Sequence, residues 1–122
     1  MMNAMSRSAT RHQPLSDAAV DLVAARFRIL GEPIRIRILQ ELQGGERNVS
    51  DLVEAVRSTQ PNVSKHLRIL QETGFVGRRQ EGNSVFYSIA DPTVFTLCDV
   101  VCRSAGQRMA RDAKLATELR RR

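Results

Sequence analysis

The segment "TQPNVSKHLRILQETGFV", residues 59–76, decides the fold, because its side chains divide between two opposite faces of a short helix. At 100° per residue, Leu67 and Leu70 lie within about 40° of Val63, and the three form a compact apolar stripe. The opposite side carries Pro61, Lys65, Arg68 and Glu72, with Gln60 and Ser64 along one border and Asn62 along the other. The pattern predicts a helix anchored by its apolar face that offers amide, hydroxyl and cationic groups to a partner.

These outer groups are the ones that read the major groove of DNA. Glutamine and asparagine can bond adenine through two hydrogen bonds, lysine and arginine can reach guanine or phosphate, and serine can bond either. A solvated helix also presents a polar face, so the neighbouring segments decide between the two. "NVSDLVEAV", residues 48–56, predicts a preceding short helix capped by Asn48. Joined by a tight turn, the two helices make a helix-turn-helix.

A β-hairpin is expected directly after this unit. "FVGRRQ" at 75–80 and "SVFYSIA" at 84–90 are rich in β-branched and aromatic residues and are separated by "EGN". The helix within residues 59–76 is expected to open at Gln60 behind a Thr59 cap, and Gly74 is placed to end it in a left-handed conformation. The hairpin carries polar groups suited to an adjacent minor groove or to the DNA backbone: Arg78, Arg79, Asn83 and Ser84. The predicted fold is therefore mainly α with a two-stranded β-hairpin wing, a winged helix-turn-helix.

Two further helices are predicted before this unit and one after it. "LSDAAVDLVAARFRIL", residues 15–30, has Ser16 as its cap, and "EPIRIRILQELQGG", residues 32–45, begins at Pro33 and closes at its two glycines. "DP" at 91–92 opens a long final helix. The predicted organisation is a basic N-terminal arm over residues 1–14, the winged domain over 15–119 and a basic tail over 120–122.

The composition limits the class of protein. A chain of 122 residues with a formal net charge of +6 suits one small domain that would gain stability from a partner subunit. No run of about 18 apolar residues predicts a membrane span, and the N-terminus does not resemble a secretory signal. Two cysteines favour a reducing, cytoplasmic setting.

No catalytic constellation is recognisable, so we expect no enzyme. "CDVVC", residues 98–102, lacks the spacing of a thioredoxin-like pair, and there is no glycine-rich phosphate loop. A second alternative is a winged-helix module that binds proteins and not DNA. Such modules usually lack a polar, basic outer face, and this chain carries one.

Several segments resemble the ArsR/SmtB family of bacterial repressors over roughly residues 20–105: "LGEPIRIRILQEL", "NVSDLVEAV" and "TQPNVSKHLRILQETGFVGRRQEGNSVFYSI". The resemblance implies a homodimer paired through its first and last helices. It would repress transcription from a pseudo-palindromic operator in double-stranded DNA and release it when a metal ion, metalloid or oxidant alters the dimer.

The family's DNA-reading positions fall on five residues here: Gln60, Asn62, Ser64, Lys65 and His66. Its wing positions fall on Arg78, Arg79 and the tip 82–84, and the face pattern adds Arg68. His66 lies near the edge of the apolar face. Its two expected partners, a DNA phosphate or a neighbouring carbonyl, stay open.

"LCDVVC", residues 97–102, raises the question of regulation. The family's thiolate and zinc positions are unmatched, because Asn48 and Ser50 stand where sulfur is needed and the final helix has no histidine. Cys98 and Cys102 lie four residues apart, which places their β-carbons about 5–6 Å apart on one helical face.

Two interpretations of this pair stay open. The thiolates could bind a soft ion such as As(III), with a third ligand from the partner chain or solvent, or could form an interchain disulfide. Cysteine also packs as a small hydrophobe, and Cys98 and Cys102 continue an apolar stripe through Val94 and Val101. No cofactor is required for DNA binding in either case.

Overall fold

The computed structural model describes residues 13–121, so residues 1–12 of the predicted arm and Arg122 lie outside the described residues. Its helices are α1 (Asp17–Leu30), α2 (Pro33–Leu42), α3 (Val49–Val56), α4 (Gln60–Glu72) and α5 (Thr93–Arg120). Its strands are β1 (Arg47–Asn48), β2 (Val76–Glu81) and β3 (Ser84–Ile89). The predicted mainly α winged fold is confirmed. Within residues 13–121, no helix combines the length and apolarity that crossing a membrane requires.

Three helices begin at the predicted capping residues. Ser16, Asn48 and Thr59 each accept a hydrogen bond from the backbone N–H three residues later, at 3.2, 2.8 and 3.3 Å. Such a cap satisfies one of the N–H groups that have no partner within the helix. Gly74, with φ of +85°, follows α4 in the left-handed region, as predicted.

The sheet has one strand more than the predicted hairpin. Its order is β1-β3-β2, and both neighbouring pairs are antiparallel. Arg47 pairs with Tyr87 and Asn48 with Phe86, so the short β1 occupies the other edge of β3. A strand of two residues is too short to show an alternating pattern, and for that reason no periodicity predicts it.

The apolar face of α4 lies at the centre of the core. Val63, Leu67 and Leu70 are each 0% exposed. They form one core cluster with the other buried apolar side chains, which come from α2, α3, the sheet, the segment before it and α5: Ile38, Leu39, Leu42, Leu52, Val56, Phe75, Val76, Tyr87 and Val94. The helix is therefore fixed to the domain along its whole inner face, and its outer face has a defined direction.

Candidate nucleic-acid interface

The outer face of α4 is open to solvent. Gln60, Lys65 and Arg68 are exposed, and Ser64 is half-buried at the border. In the described part of the chain, no carboxylate forms a salt bridge with Lys65 or Arg68. The face therefore presents an amide, a hydroxyl and two cations that are free to contact a polyanion.

Asn62 is partly engaged inside the domain. It is half-buried, and its Nδ2 donates to Ser58 Oγ at 2.9 Å. This bond ties the first turn of α4 to the turn that precedes it. The side-chain carbonyl oxygen is not used in that bond, so Asn62 keeps an acceptor at the border of the face.

His66 is not on the outer face. It is only 6% exposed, and its Nδ1 accepts a hydrogen bond from Arg35 Nε at 3.0 Å. The expected partner was a phosphate or a carbonyl, and the structure shows a guanidinium. Burial lowers the pKa of His66, and the positive charges of Arg35 and Lys65 lower it further against a small opposing effect of Glu32. The imidazole is therefore an internal, neutral acceptor that holds Arg35 in place.

The two wing arginines differ in their surroundings. Arg79 donates to Glu46 through Nη2 at 2.7 Å and Nε at 3.0 Å, and to Glu81 through Nη1 at 3.3 Å. Its guanidinium also lies over the Phe86 ring, 4.7 Å from the centroid. The hydrogen bond from Arg79 lowers the pKa of Glu46. Arg79 therefore fastens the wing to the segment before β1.

Arg78 and the tip of the wing remain available. Arg78 is exposed and has no salt-bridge partner among residues 13–121. Asn83 and Ser84 are exposed at the turn, where Gly82 has φ of +61° and its carbonyl accepts from Gln80 Nε2 at 3.3 Å. The wing therefore presents one free cation on β2 and two short polar side chains at its turn.

Comparison with known proteins identifies the family. Residues 32–77 match the model described as bacterial regulatory protein, arsR family. A Streptomyces lividans protein named "Probable mercury resistance operon repressor" is 38% identical over 93 residues, which cover 75% of this chain and 74% of that protein. This chain belongs to the ArsR family.

Solved structures of similar proteins share the fold. The crystal structure of Rv0081 from Mycobacterium tuberculosis has a TM-score of 0.73 at 32% identity, covering 80% of this chain and 99% of that one. The homodimeric winged helix-turn-helix DNA-binding domain of Mb0332 from Mycobacterium bovis has a TM-score of 0.68 at 31% identity. That likeness covers 80% of this chain and 93% of that one. The winged helix-turn-helix of this ArsR-family chain is thus the architecture of its relatives.

The two cysteines lie on α5 as free thiols. Cys98 is half-buried and Cys102 is exposed. Burial raises the pKa of the Cys98 thiol, and Cys102 and Asp99 raise it further. Within the described residues, no group of three or more histidine, cysteine or acidic side chains could hold a metal ion. This ArsR-family chain alone therefore offers at most two sulfur ligands at this point.

The basic residues that border α4 on the side of α2 are not among the predicted site residues. Arg35 is tied to His66, and Arg57 occupies the turn before α4 with φ of +56°. Two features of the sequence point to them. The alternating "IRIRI" at 34–38 places two cations on a helix of the core, and Arg57 stands in the turn between α3 and α4, where glycine is favoured. Neither feature shows by itself that the side chains meet.

Proposed function

We propose that this ArsR-family protein is a cytoplasmic, homodimeric repressor that binds a pseudo-palindromic operator by inserting α4 of each subunit into a major groove. One observation carries the proposal: α4 buries its whole apolar face and exposes Gln60, Lys65 and Arg68 on the other. Such a helix is held rigidly enough for its side chains to meet base edges in a fixed register.

The roles of the α4 residues follow from their chemistry. Gln60 and Ser64 would bond base edges, because amides and hydroxyls distinguish bases through paired donors and acceptors. Asn62 would add an acceptor at the border, while Lys65 and Arg68 would reach guanine or phosphate. His66 would contribute indirectly, through the position of Arg35.

The wing would contact DNA beside the major groove. Arg78, Asn83 and Ser84 would bond the backbone or the adjacent minor groove, where short polar and cationic side chains fit. Arg79 would act indirectly by holding the wing against Glu46.

Dimerisation would bury the apolar surface that α1 and α5 leave open in one chain. Val23, Phe27 and Val100 are 42%, 55% and 50% exposed, and they line a groove of about 550 Å³ between the two helices. Exposed apolar surface of this extent marks an interface. The two α4 helices would then lie about 34 Å apart, one turn of DNA.

A binding selection tests the proposal. Duplexes that bind the protein would be enriched from a random pool, and their affinity compared with that of random duplex by fluorescence anisotropy. A sequence-specific repressor should prefer the enriched duplex by about 10³-fold or more. Equal affinity for both duplexes would contradict it, and no binding to random duplex at low salt would favour the protein-interaction module. Light scattering on the same samples should give the mass of a dimer.

We further propose that Cys98 and Cys102 hold a soft metal ion or metalloid such as As(III), whose binding releases the operator. The two thiols lie one helical turn apart on α5, beside the proposed dimer interface. One ion bound by both sulfurs, with a third ligand from the partner chain or solvent, would alter that interface. The Streptomyces relative named for mercury resistance adds support from a protein of the same family.

A release assay distinguishes this proposal from cysteines that only pack the dimer. Wild type and the Cys98→Ser/Cys102→Ser variant would be bound to enriched duplex and treated with arsenite, zinc, cadmium or peroxide. We expect arsenite or cadmium to release the wild type and not the variant. Because the pKa of Cys98 is raised, a bound ion must displace the proton of its thiol. The ion should therefore release less DNA as the pH falls. Identical responses of both proteins to every agent would contradict a sensory role, and release by peroxide alone would indicate oxidation.

A further inference from the structure

A basic cleft of about 570 Å³ opens beside α4, on the side that faces the start of α2 and the end of α3. Four of its lining residues are cations: Arg35, Arg37, Arg57 and Lys65. One carboxylate, Glu32, lies among them. The cleft therefore carries a clear excess of positive charge.

No carboxylate of residues 13–121 forms a salt bridge with the cations of this cleft. The salt bridges found within that range are made by Arg26, Arg47, Arg79 and Arg108. Cations that share a cleft repel one another, and an anion bound between them removes that repulsion. The cleft is thus suited to a ligand with negative charge.

Arg35 is held in place from inside the domain. Its Nε donates to the buried His66 Nδ1 at 3.0 Å, and its Nη1 donates to the carbonyl of Ile29 at 3.1 Å. Because His66 accepts through Nδ1, its neutral form carries the proton on Nε2. His66 is therefore a positioning residue that fixes a guanidinium without removing its charge.

Arg57 reaches the cleft from an unfavourable backbone conformation. Its φ of +56° makes it the one non-glycine residue with positive φ in the described part of the chain. Glycine would relieve this conformation, yet the turn carries an arginine whose side chain lines the cleft. Backbone outliers of this kind gather at functional sites.

The position of the cleft suggests its ligand. α3 follows Asn48 of β1, which pairs with β3, and ends at Val56, which lines the cleft together with Arg57. The start of α3 therefore lies beside the sheet and its end lies at the cleft, and no residue of the wing strands β2 and β3 lines the cleft. When a recognition helix enters a major groove, DNA phosphates lie on both sides of it.

We propose that the basic cleft binds a phosphodiester of the DNA backbone, on the side of α4 away from the wing. The proposal rests on the proposed function, because it needs α4 in the major groove. The cleft would add affinity without sequence preference and would set the depth and angle at which α4 enters the groove.

The dependence of affinity on salt tests the cleft. The variant is Arg37→Ala/Arg57→Gly, in which glycine suits the left-handed turn and protects folding. The matched control is Arg111→Ala/Lys114→Ala, which removes two exposed cations from α5. Each protein would be titrated onto a labelled random-sequence duplex over a range of KCl concentrations.

We expect the slope of log K against log [KCl] to become shallower by about 0.9 for each phosphate that the variant no longer neutralises, hence by about 1.8 for a dimer with two clefts. The control should keep the wild-type slope. If the cleft variant keeps the wild-type slope, this proposal is overturned while the proposed function stands. A wild type that binds no duplex would overturn it together with the proposed function.

Neutral backbone analogues locate the bound phosphate. Methylphosphonate placed at single positions of an enriched duplex should lower the affinity of the wild type when it replaces one particular phosphate in each half-site. The same replacement should not lower the affinity of the cleft variant any further. The cleft could instead serve a free phosphorylated ligand. Inorganic phosphate would then bind the wild type and not the variant, while methylphosphonate weakened both proteins equally, and this result would overturn the proposal.

Discussion

Leu67 and Arg68 are adjacent in α4 and allow a sharp test, because they belong to its opposite faces. Leu67 is 0% exposed within the core, whereas Arg68 is exposed and has no salt-bridge partner among the described residues. Truncating a buried leucine to alanine costs about 2–5 kcal/mol, because apolar burial is reduced and a cavity is left behind. At about 4 °C per kcal/mol for a domain of this size, Leu67→Ala should lower Tm by on the order of 8–20 °C.

Arg68→Ala should change the free energy of unfolding by no more than about 0.5 kcal/mol, because an exposed side chain packs against little of the domain. Its effect should appear in DNA binding, where removing the partner of one guanine costs about 1–3 kcal/mol, or about 5–150-fold in affinity.

Thermal unfolding by circular dichroism, at one protomer concentration, and anisotropy with enriched duplex give the two readouts. Leu67→Ala should bind DNA nearly as well as wild type at a temperature where it is folded. An Arg68→Ala variant that melts as early as Leu67→Ala, or that binds DNA like wild type, would refute the assignment of the two faces.

Four further variants probe the cap, the buried histidine and the wing. Thr59→Ala removes the cap of α4 and should lower the free energy of unfolding by about 1 kcal/mol, measured by urea denaturation. Since the pKa of His66 is lowered in the folded chain, the unfolded chain binds more protons near pH 6. Stability should therefore be lost as pH falls below about 6.5, and His66→Gln should remove that part of the decline, as followed by Tm between about pH 7.5 and 5.5. Arg79→Ala breaks the bonds to Glu46 and should speed hydrogen exchange in the wing while weakening binding to all duplexes alike; Arg78→Ala should weaken binding with exchange unchanged.

The elements that could be predicted from the sequence are those whose signals are local. α4 has an apolar stripe at helical spacing, a capping threonine and a glycine at its end, and the structure shows all three features. The apolar stripe also predicted which face is buried, because one face of a helix in a small domain must supply the core. The polar face then followed by geometry alone.

Other features depend on contacts between distant segments, and the sequence carries no local signal for them. β1 exists because two residues meet the free edge of β3, a strand that lies much further along the chain. His66 lies at the border of the α4 stripe, and its hydrogen-bond partner Arg35 belongs to another helix. Arg78 and Arg79 are adjacent and chemically alike, and it is the contacts of Arg79 with Glu46, Glu81 and Phe86 that separate the structural cation from the free one.

The most direct test of DNA reading by α4 is the sequence preference of a variant that lacks the proposed base-reading groups. Gln60→Ala/Ser64→Ala would be compared with Ser104→Ala/Gln107→Ala, which removes the same two groups from exposed positions on α5. The ratio of affinities for enriched and random duplex should fall by at least about 5–150-fold in the first variant, with binding to random duplex retained, and stay unchanged in the second. A ratio that survives the loss of Gln60 and Ser64 would contradict the claim that the outer face of α4 reads DNA.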